Sequence, residues 1–260
     1  LIPKDVLLKN DIYYFDDFVH NFGNISQSLE FSTNGKFKEN TRFATYVNKP
    51  ELIRLWSMVA DTVLTKDVGY VNDKIPKMET EKAIDVYLPQ SPSLVGIMSA
   101  VRAKLDEYEK MSGKEKKAHS SIPLTAYGIA KRAAIDPRLV DSTADDEPMS
   151  KTNKAVDDIV SDLAKTESYK GVVAVFCDNQ NRKDPDTKVV EFNLFDDMRQ
   201  KLIDKGIPAE QIAIIKSGMS DNLKEKIFEE VNNGDIRVIM GSTQTLGTGV
   251  NIQQRLHTLI

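Results

Sequence analysis

From Lys151 onward, apolar positions switch between helical spacing and unbroken runs. In "KTNKAVDDIVSDLAK" Val156, Ile159, Val160 and Leu163 fall on one helical face. "GVVAVFC", residues 171 to 177, is continuous, as a strand covered on both faces requires. Phe195, Met198 and Leu202 then align for a second helix, with Gly206 just past its end. The short run "QIAII" predicts a strand. Ser220 opens a helix carrying Leu223, Ile227 and Val231, which stops at Asn232-Asn233-Gly234. "IRVIM" predicts a third strand, leading into "GSTQTLGTGVNIQ". Strand and helix signals in alternation imply βαβ crossovers and a parallel sheet.

Residues 1–150 carry few strand runs. A helix is predicted to start near Pro50, with Leu52, Leu55, Trp56, Val59 and Val63 on its apolar side. Another spans about Ser93 to Met111, with Leu94, Ile97, Met98, Val101, Leu105 and Tyr108. Between them "KIPKMETEKAIDVYLPQSP" reads as a strand flanked by proline turns, and the acidic "ADDEPMS", 144 to 150, as a connector. The expectation is an α/β chain in two parts: a mostly helical segment, 1–150, and a parallel-sheet domain, 151–260. No internal repeat is visible.

With 260 residues, 40% of them hydrophobic, the chain can build a substantial core. Its net charge of −4 supplies no global basic footprint, so any nucleic-acid contact must come from local donors. The single Cys177 ends an apolar run and reads as a small packed thiol, compatible with a reducing cytoplasm. No apolar stretch approaches the roughly 20 residues that span a bilayer, and the start lacks a signal core, so a cytoplasmic protein without membrane contact is expected. The missing initiator Met and the final "RLHTLI", which reads as an unfinished strand, suggest an excised fragment.

The Gly- and Thr-rich loop is the main chemical candidate. It is not a P-loop: Gly241 to Gly247 is one residue too long, and no Lys follows. It lacks the third Gly of a dinucleotide fingerprint, which weakens a Rossmann-type reading. Small residues after a strand do let backbone amides approach a phosphate, and Ser242, Thr243, Thr245 and Thr248 add hydroxyl donors. Ser217, Gly218 and Ser220, at a helix start, form a second candidate for anions. His20, His119 and His257 are scattered without partners at ligand spacing, so no metal site is expected. The run "KMSGKEKKAHSS" reads as a solvated loop, and Trp56 as core. Arg132 and Arg138 are expected to pair with Asp136 and Asp141, and "DDEP" to act as a linker.

The order of strand 171–177, helix, short strand, Ser-Gly-Met-Ser, helix, strand 236–240 and Gly/Thr loop resembles the second RecA-like lobe of superfamily 2 helicases. The loop looks most like motif V of the Swi2/Snf2-like branch, with Gly247, Thr248, Gly249 and Asn251 matching. "TRFATYVNKPELIRLWSMVADTVL" and "RAAIDPRLVD" are similar to the helicase part of large phage and mobile-element proteins that join a DNA methylase-like domain to a motor, including antirestriction proteins. The resemblance implies a RecA-like parallel sheet with flanking helices, preceded by a mostly helical accessory and inter-lobe segment. It implies nucleic-acid contacts by Ser217, Gly218, Ser220, Ser242, Thr243 and Thr248, and coupling to a nucleotide cofactor through Gly247, Gly249 and Asn251. Asp178, Asn179 and Gln180 fall in the region of motif IV. The partners implied are DNA, a first motor lobe and a fused methylase domain, with ATP and Mg held mainly by that first lobe. Neither a Walker Lys nor an acidic Mg pair nor the Arg of motif VI is identifiable, so no catalytic residue is assigned and this stretch alone is not expected to hydrolyse ATP. The rival reading is a non-catalytic α/β protein-interaction module whose loop merely turns the chain.

Overall fold

The computed structural model describes residues 2–31, 37–64, 67, 82–247 and 249–260. Contacts divide the chain into two compact units, Leu1–Val86 and Tyr87–Ile260. The division expected at 150/151 therefore falls inside the second unit.

The first unit opens with helices α1 (Lys4–Lys9) and α2 (Phe15–Phe22), followed by strands β1 (Gly23–Phe31) and β2 (Phe37–Tyr46), then helix α3 (Lys49–Ser57). β1 and β2 form an antiparallel hairpin that the helical expectation for this region did not include. Its side chains are largely exposed on both faces, so no inward-facing apolar alternation marks it. Asn34-Gly35 lies between the strands in sequence, a short-range hairpin signal. Ile12, Phe22 and Leu55 make the small core. Helix α3 ends at Ser57, before Val59 and Val63. Trp56 is 50% exposed rather than core, and its indole N–H donates to Thr62 Oγ1 at 3.1 Å. The strand expected in 74–92 does not form over 82–91, and 74–81 lie outside the described residues.

The second unit starts with α4 (Pro92–Lys110), α5 (Gly113–Ala118) and α6 (Ile122–Ile135). The Lys-rich run is thus partly helical, because Ser112 and Glu115 close a reciprocal capping box at its start. Val101, Leu105 and Ala126 pack α4 on α6. Helix α7 (Lys151–Lys165) leads to strand β3 (Val172–Phe176), and a small hairpin of β4 (Asn181–Lys183) and β5 (Val190–Asn193) precedes α8 (Leu194–Asp204). Strand β6 (Ile212–Ile215), helix α9 (Asp221–Asn233), strand β7 (Val238–Gly241), the single turn α10 (Thr243–Leu246) and strand β8 (Leu256–Leu259) complete the chain.

Strands β6, β7, β3 and β8 form, in that order, a four-stranded parallel sheet. Val173, Val175, Val238 and Met240 face α7 and α8, while Val172, Ala174 and Ile239 share the opposite core with Val231 of α9. Burial on both faces is why "GVVAVFC" is apolar without alternation. Helix ends follow their sequence signals. Gly206 (φ 91°) donates to Ile203 O at 2.9 Å and Ile207 N to Leu202 O at 3.0 Å, a Schellman closure of α8. Leu223, expected on the apolar face of α9, is instead 45% exposed.

The segment before α7 is tied to the sheet domain by ion pairs. Arg138 forks onto Asp136 (3.0 and 2.8 Å) and onto Asp197 at the start of α8 (3.1 and 3.0 Å). Arg132 does not take a carboxylate; its guanidinium donates to the carbonyls of Leu139 and, at 3.0 Å, Asn181. Asp141 accepts from Thr143 instead. Asp146, within the expected linker, pairs with Lys201 at 2.7 Å and Arg138 at 3.4 Å, so this stretch is anchored. Burial works against its charged form, yet hydrogen bonds from Lys201 and Asn153 and the Arg138 charge hold its carboxyl below the usual range. Among the described residues no helix is long and apolar enough to cross a membrane.

Candidate nucleic-acid interface

In a parallel sheet every strand ends at the same edge, and the segments that follow are brought together there whatever their separation in sequence. Register places Gly241, the last residue of β7, beside Phe176 of β3 and Ile215 of β6. Three segments therefore meet at this edge: 177–180 after β3, 216–220 after β6, and the Gly/Thr loop after β7. Cys177 N donates to Gly241 O at 3.2 Å, extending the β3–β7 pairing one residue outward.

The loop begins with a helical turn rather than an open amide cradle. Ser242 Oγ accepts from Thr245 N at 3.2 Å, and Thr245 Oγ1 accepts from Ser242 N at 3.0 Å, so the pair closes a capping box. Thr243 faces the segment after β3: its amide donates to Asp178 Oδ1 at 2.8 Å and its hydroxyl to Asp178 Oδ2 at 3.1 Å. Thr245 Oγ1 also reaches Ile215 O at 3.4 Å, tying the loop to the end of β6. A Cβ on Gly247 would lie 2.5 Å from Thr243 O, so only glycine fits against that turn, and Gly249 has φ 73°. Thr248 lies outside the described residues.

Ser217 and Gly218 form the exposed turn after β6. Gly218 adopts φ 85°, and Met219 N returns to Lys216 O at 3.4 Å, an arrangement that favours glycine at the third position. Met219 packs into the sheet core below. Ser220 Oγ accepts from Leu223 N at 3.4 Å as the N-cap of the 13-residue α9. Ser217, Gly218, Ser220, Ser242 and Thr243 thus share one edge. Asn251 does not sit with them through its backbone: its carbonyl accepts from Asn232 Nδ2 at 2.8 Å, in the last turn of α9, the end that feeds β7 from the opposite edge.

Asp178 was legible only as part of a segment, and its pairing with Thr243 was not foreseen. The Ser242-x-x-Thr245 spacing carried the capping signal. Burial pushes the neighbouring Cys177 thiol up, against a hydrogen bond from the Asn179 amide that pulls it down, so it stays protonated near neutrality. Among the described residues no group of three or more His, Cys, Asp or Glu is placed to hold a metal ion. This edge presents, among the described residues, the hydroxyls of Ser217, Ser220, Ser242 and Thr243.

Four parallel strands covered by helices on both faces define an α/β lobe of the RecA-like kind. Residues 152–260 match the helicase conserved C-terminal domain family. No curated protein matches the chain. A SWI2/SNF2 ATPase core from Sulfolobus solfataricus, solved in complex with dsDNA, is similar at 16% identity with a TM-score of 0.44, over 82% of this chain and 47% of that one. The chain spans about half the length of that structure.

Proposed function

We propose that residues 151–260 act as the second lobe of a Snf2-like, DNA-dependent ATPase or helicase, gripping the nucleic-acid backbone at the C-terminal edge of the sheet. The observation that carries this reading is the convergence of the 177–180, 216–220 and 242–249 segments at one edge of a helicase C-terminal domain. Ser217, Gly218, Ser220, Ser242, Thr243 and Thr248 are the proposed backbone contacts. Such contacts are independent of sequence, because phosphates carry no base information. Gly247, Gly249 and Asn251 are proposed to relay the loop's position to ATP and Mg, held mainly by a first lobe in a longer cytoplasmic protein. Residues 1–150 serve as its accessory and inter-lobe segment, and a fused methylase domain belongs to the same proposal. Hydrolysis is assigned to the two lobes together, not to this chain alone.

The test is equilibrium binding of a fluorescein-labelled DNA duplex across a salt series, for the chain as it stands and for Gly247→Ala and Gly249→Ala. Hydroxyls and amides neutralise no phosphate, so a grip of this kind gives affinity that falls only shallowly with salt, each phosphate neutralised by a Lys or Arg adding about −0.9 to the log–log slope. Both substitutions should weaken binding while far-UV circular dichroism stays unchanged. Absence of binding, or binding indifferent to both glycines, would refute the grip and leave the interaction-module reading.

A further inference from the structure

We propose that Asp178 and Thr243 form a latch that closes the loop after β7, so that a nucleic-acid phosphate takes Thr243 only by displacing the Asp178 carboxylate. The inference rests on the backbone grip proposed above and adds a regulated step to it.

The geometry is a one-to-one match. Thr243 has two donors, its amide and its hydroxyl, and each is met by a different oxygen of the same carboxylate, at 2.8 and 3.1 Å. A phosphate oxygen seeks those same donors. With the carboxylate in place they are consumed, and its negative charge opposes a second anion at that spot. Grip and latch are therefore mutually exclusive at Thr243.

Asp178 is not needed to shape the loop. Ser242 and Thr245 close the helical turn between themselves, Leu246 N and Gly247 N bond back to Ser242 O and Thr243 O at 2.9 Å each, and Gly247 is seated by close contact with Thr243 O. Nor does the backbone at Asp178 depend on Thr243, since the Cys177 amide is fixed on Gly241 O. Both side chains are exposed. The carboxylate can swing into water while the strand ends and the turn keep their form, which is what a latch requires and a structural brace does not. The consequence is that nucleic-acid contact at the loop after β7 becomes a movement at the end of β3.

Duplex binding separates these possibilities, using the chain, Asp178→Ala, Asp178→Asn and, as a control for charge alone, Asp221→Asn. Asp221 is exposed at the same sheet edge, following Ser220, and its ion pair, at 3.6 Å, is with Lys224 one turn on. Releasing the latch should tighten duplex binding by about tenfold for Asp178→Ala, the factor that corresponds to losing one charge-assisted competitor. Asp178→Asn should tighten it severalfold, and Asp221→Asn by clearly less than either. Gains equal to the Asp221→Asn control would overturn the latch in favour of a simple charge effect. Affinity unchanged or weakened in Asp178→Ala, with the chain itself binding duplex, would overturn it in favour of a brace. If neither the chain nor any variant binds duplex, the grip fails and the latch with it.

Discussion

Arg237, the residue just before β7, is only 3% exposed and makes the strongest single stability prediction. Its guanidinium donates to Gly171 O at 2.7 Å, Leu163 O at 3.0 Å, Thr166 Oγ1 at 3.2 Å and Glu167 Oε2 at 2.8 Å. Leu163 lies in the last turn of α7, so its carbonyl has no partner within the helix, and the cation caps it where the helix dipole is negative. Arg237→Met keeps most of the aliphatic bulk but strands the two buried carbonyls. Each unsatisfied acceptor costs about 1–3 kcal/mol. Losing the desolvation penalty of the guanidinium offsets part of that, leaving a net destabilisation of about 3 kcal/mol. For a unit of this size, at about 2–4 °C per kcal/mol, Tm should fall by roughly 6–12 °C. The Glu167 carboxylate is 73% exposed, so Glu167→Gln should cost no more than about 1 kcal/mol despite breaking the formal salt bridge. Thermal melts by circular dichroism, with urea titrations beside them, measure both. An Arg237→Met melt within about 2 °C of the unaltered chain, or equal damage from Glu167→Gln, would refute the claim that carbonyl capping rather than ion pairing is what Arg237 supplies.

Gly234 ends α9 at φ 84°, and an added Cβ would lie 2.9 Å from Lys170 Cβ, whereas Gly218, at φ 85°, has open space around it. Gly218→Ala should therefore cost only the left-handed strain of about 1 kcal/mol, and Gly234→Ala about 2 kcal/mol or more; equal urea midpoints for the two would show that the close approach is relieved without cost. Asp146 is held below the usual carboxylate range by Lys201, Asn153 and Arg138 against the opposing effect of burial. A lowered folded value means the contribution is present above the ordinary carboxylate pKa of about 3.9 and is lost as pH falls through the folded value. Asp146→Asn should thus be less stable than the unaltered chain at neutral pH and converge with it in acid. A stability gap that widens on acidification would contradict that sign.

The sheet domain could be read from sequence because its core strands are buried on both faces and its helices on one. "VVAVF" and "VIM" are apolar throughout, and α7 carries Val156, Ile159 and Leu163 along a single buried stripe. Where that logic did not apply, the reading failed. The hairpin of β1 and β2 is exposed on both faces, so it has no apolar period to find. Trp56 looked like core by spacing, but α3 presents it to solvent beside Thr62. Arg237 sits in an otherwise apolar run because its partners are carbonyls and a hydroxyl supplied by residues 163–171. Nothing near position 237 announces them.

The candidate site divides along the same line between what is local and what the sheet brings in. The small residues and hydroxyls of 241–249, the Ser220 cap and the glycine turn at 218 are local features and could be read directly. The Asp178–Thr243 contact joins residues 65 apart, and only the parallel register of Phe176 with Gly241 makes them neighbours. Strand order explains why the loop after β7, rather than another, gathers these contacts. β7 lies between β6 and β3, so its loop is flanked on one side by Ile215, which accepts from Thr245, and on the other by Asp178, which accepts from Thr243. The two attachments differ in kind. Thr245 meets a main-chain carbonyl at the end of a strand, which cannot move without disturbing the sheet. Thr243 meets an exposed side chain, which can. An anion arriving at the loop would therefore loosen its β3 side and leave its β6 side in place, turning the loop about a fixed point rather than freeing it.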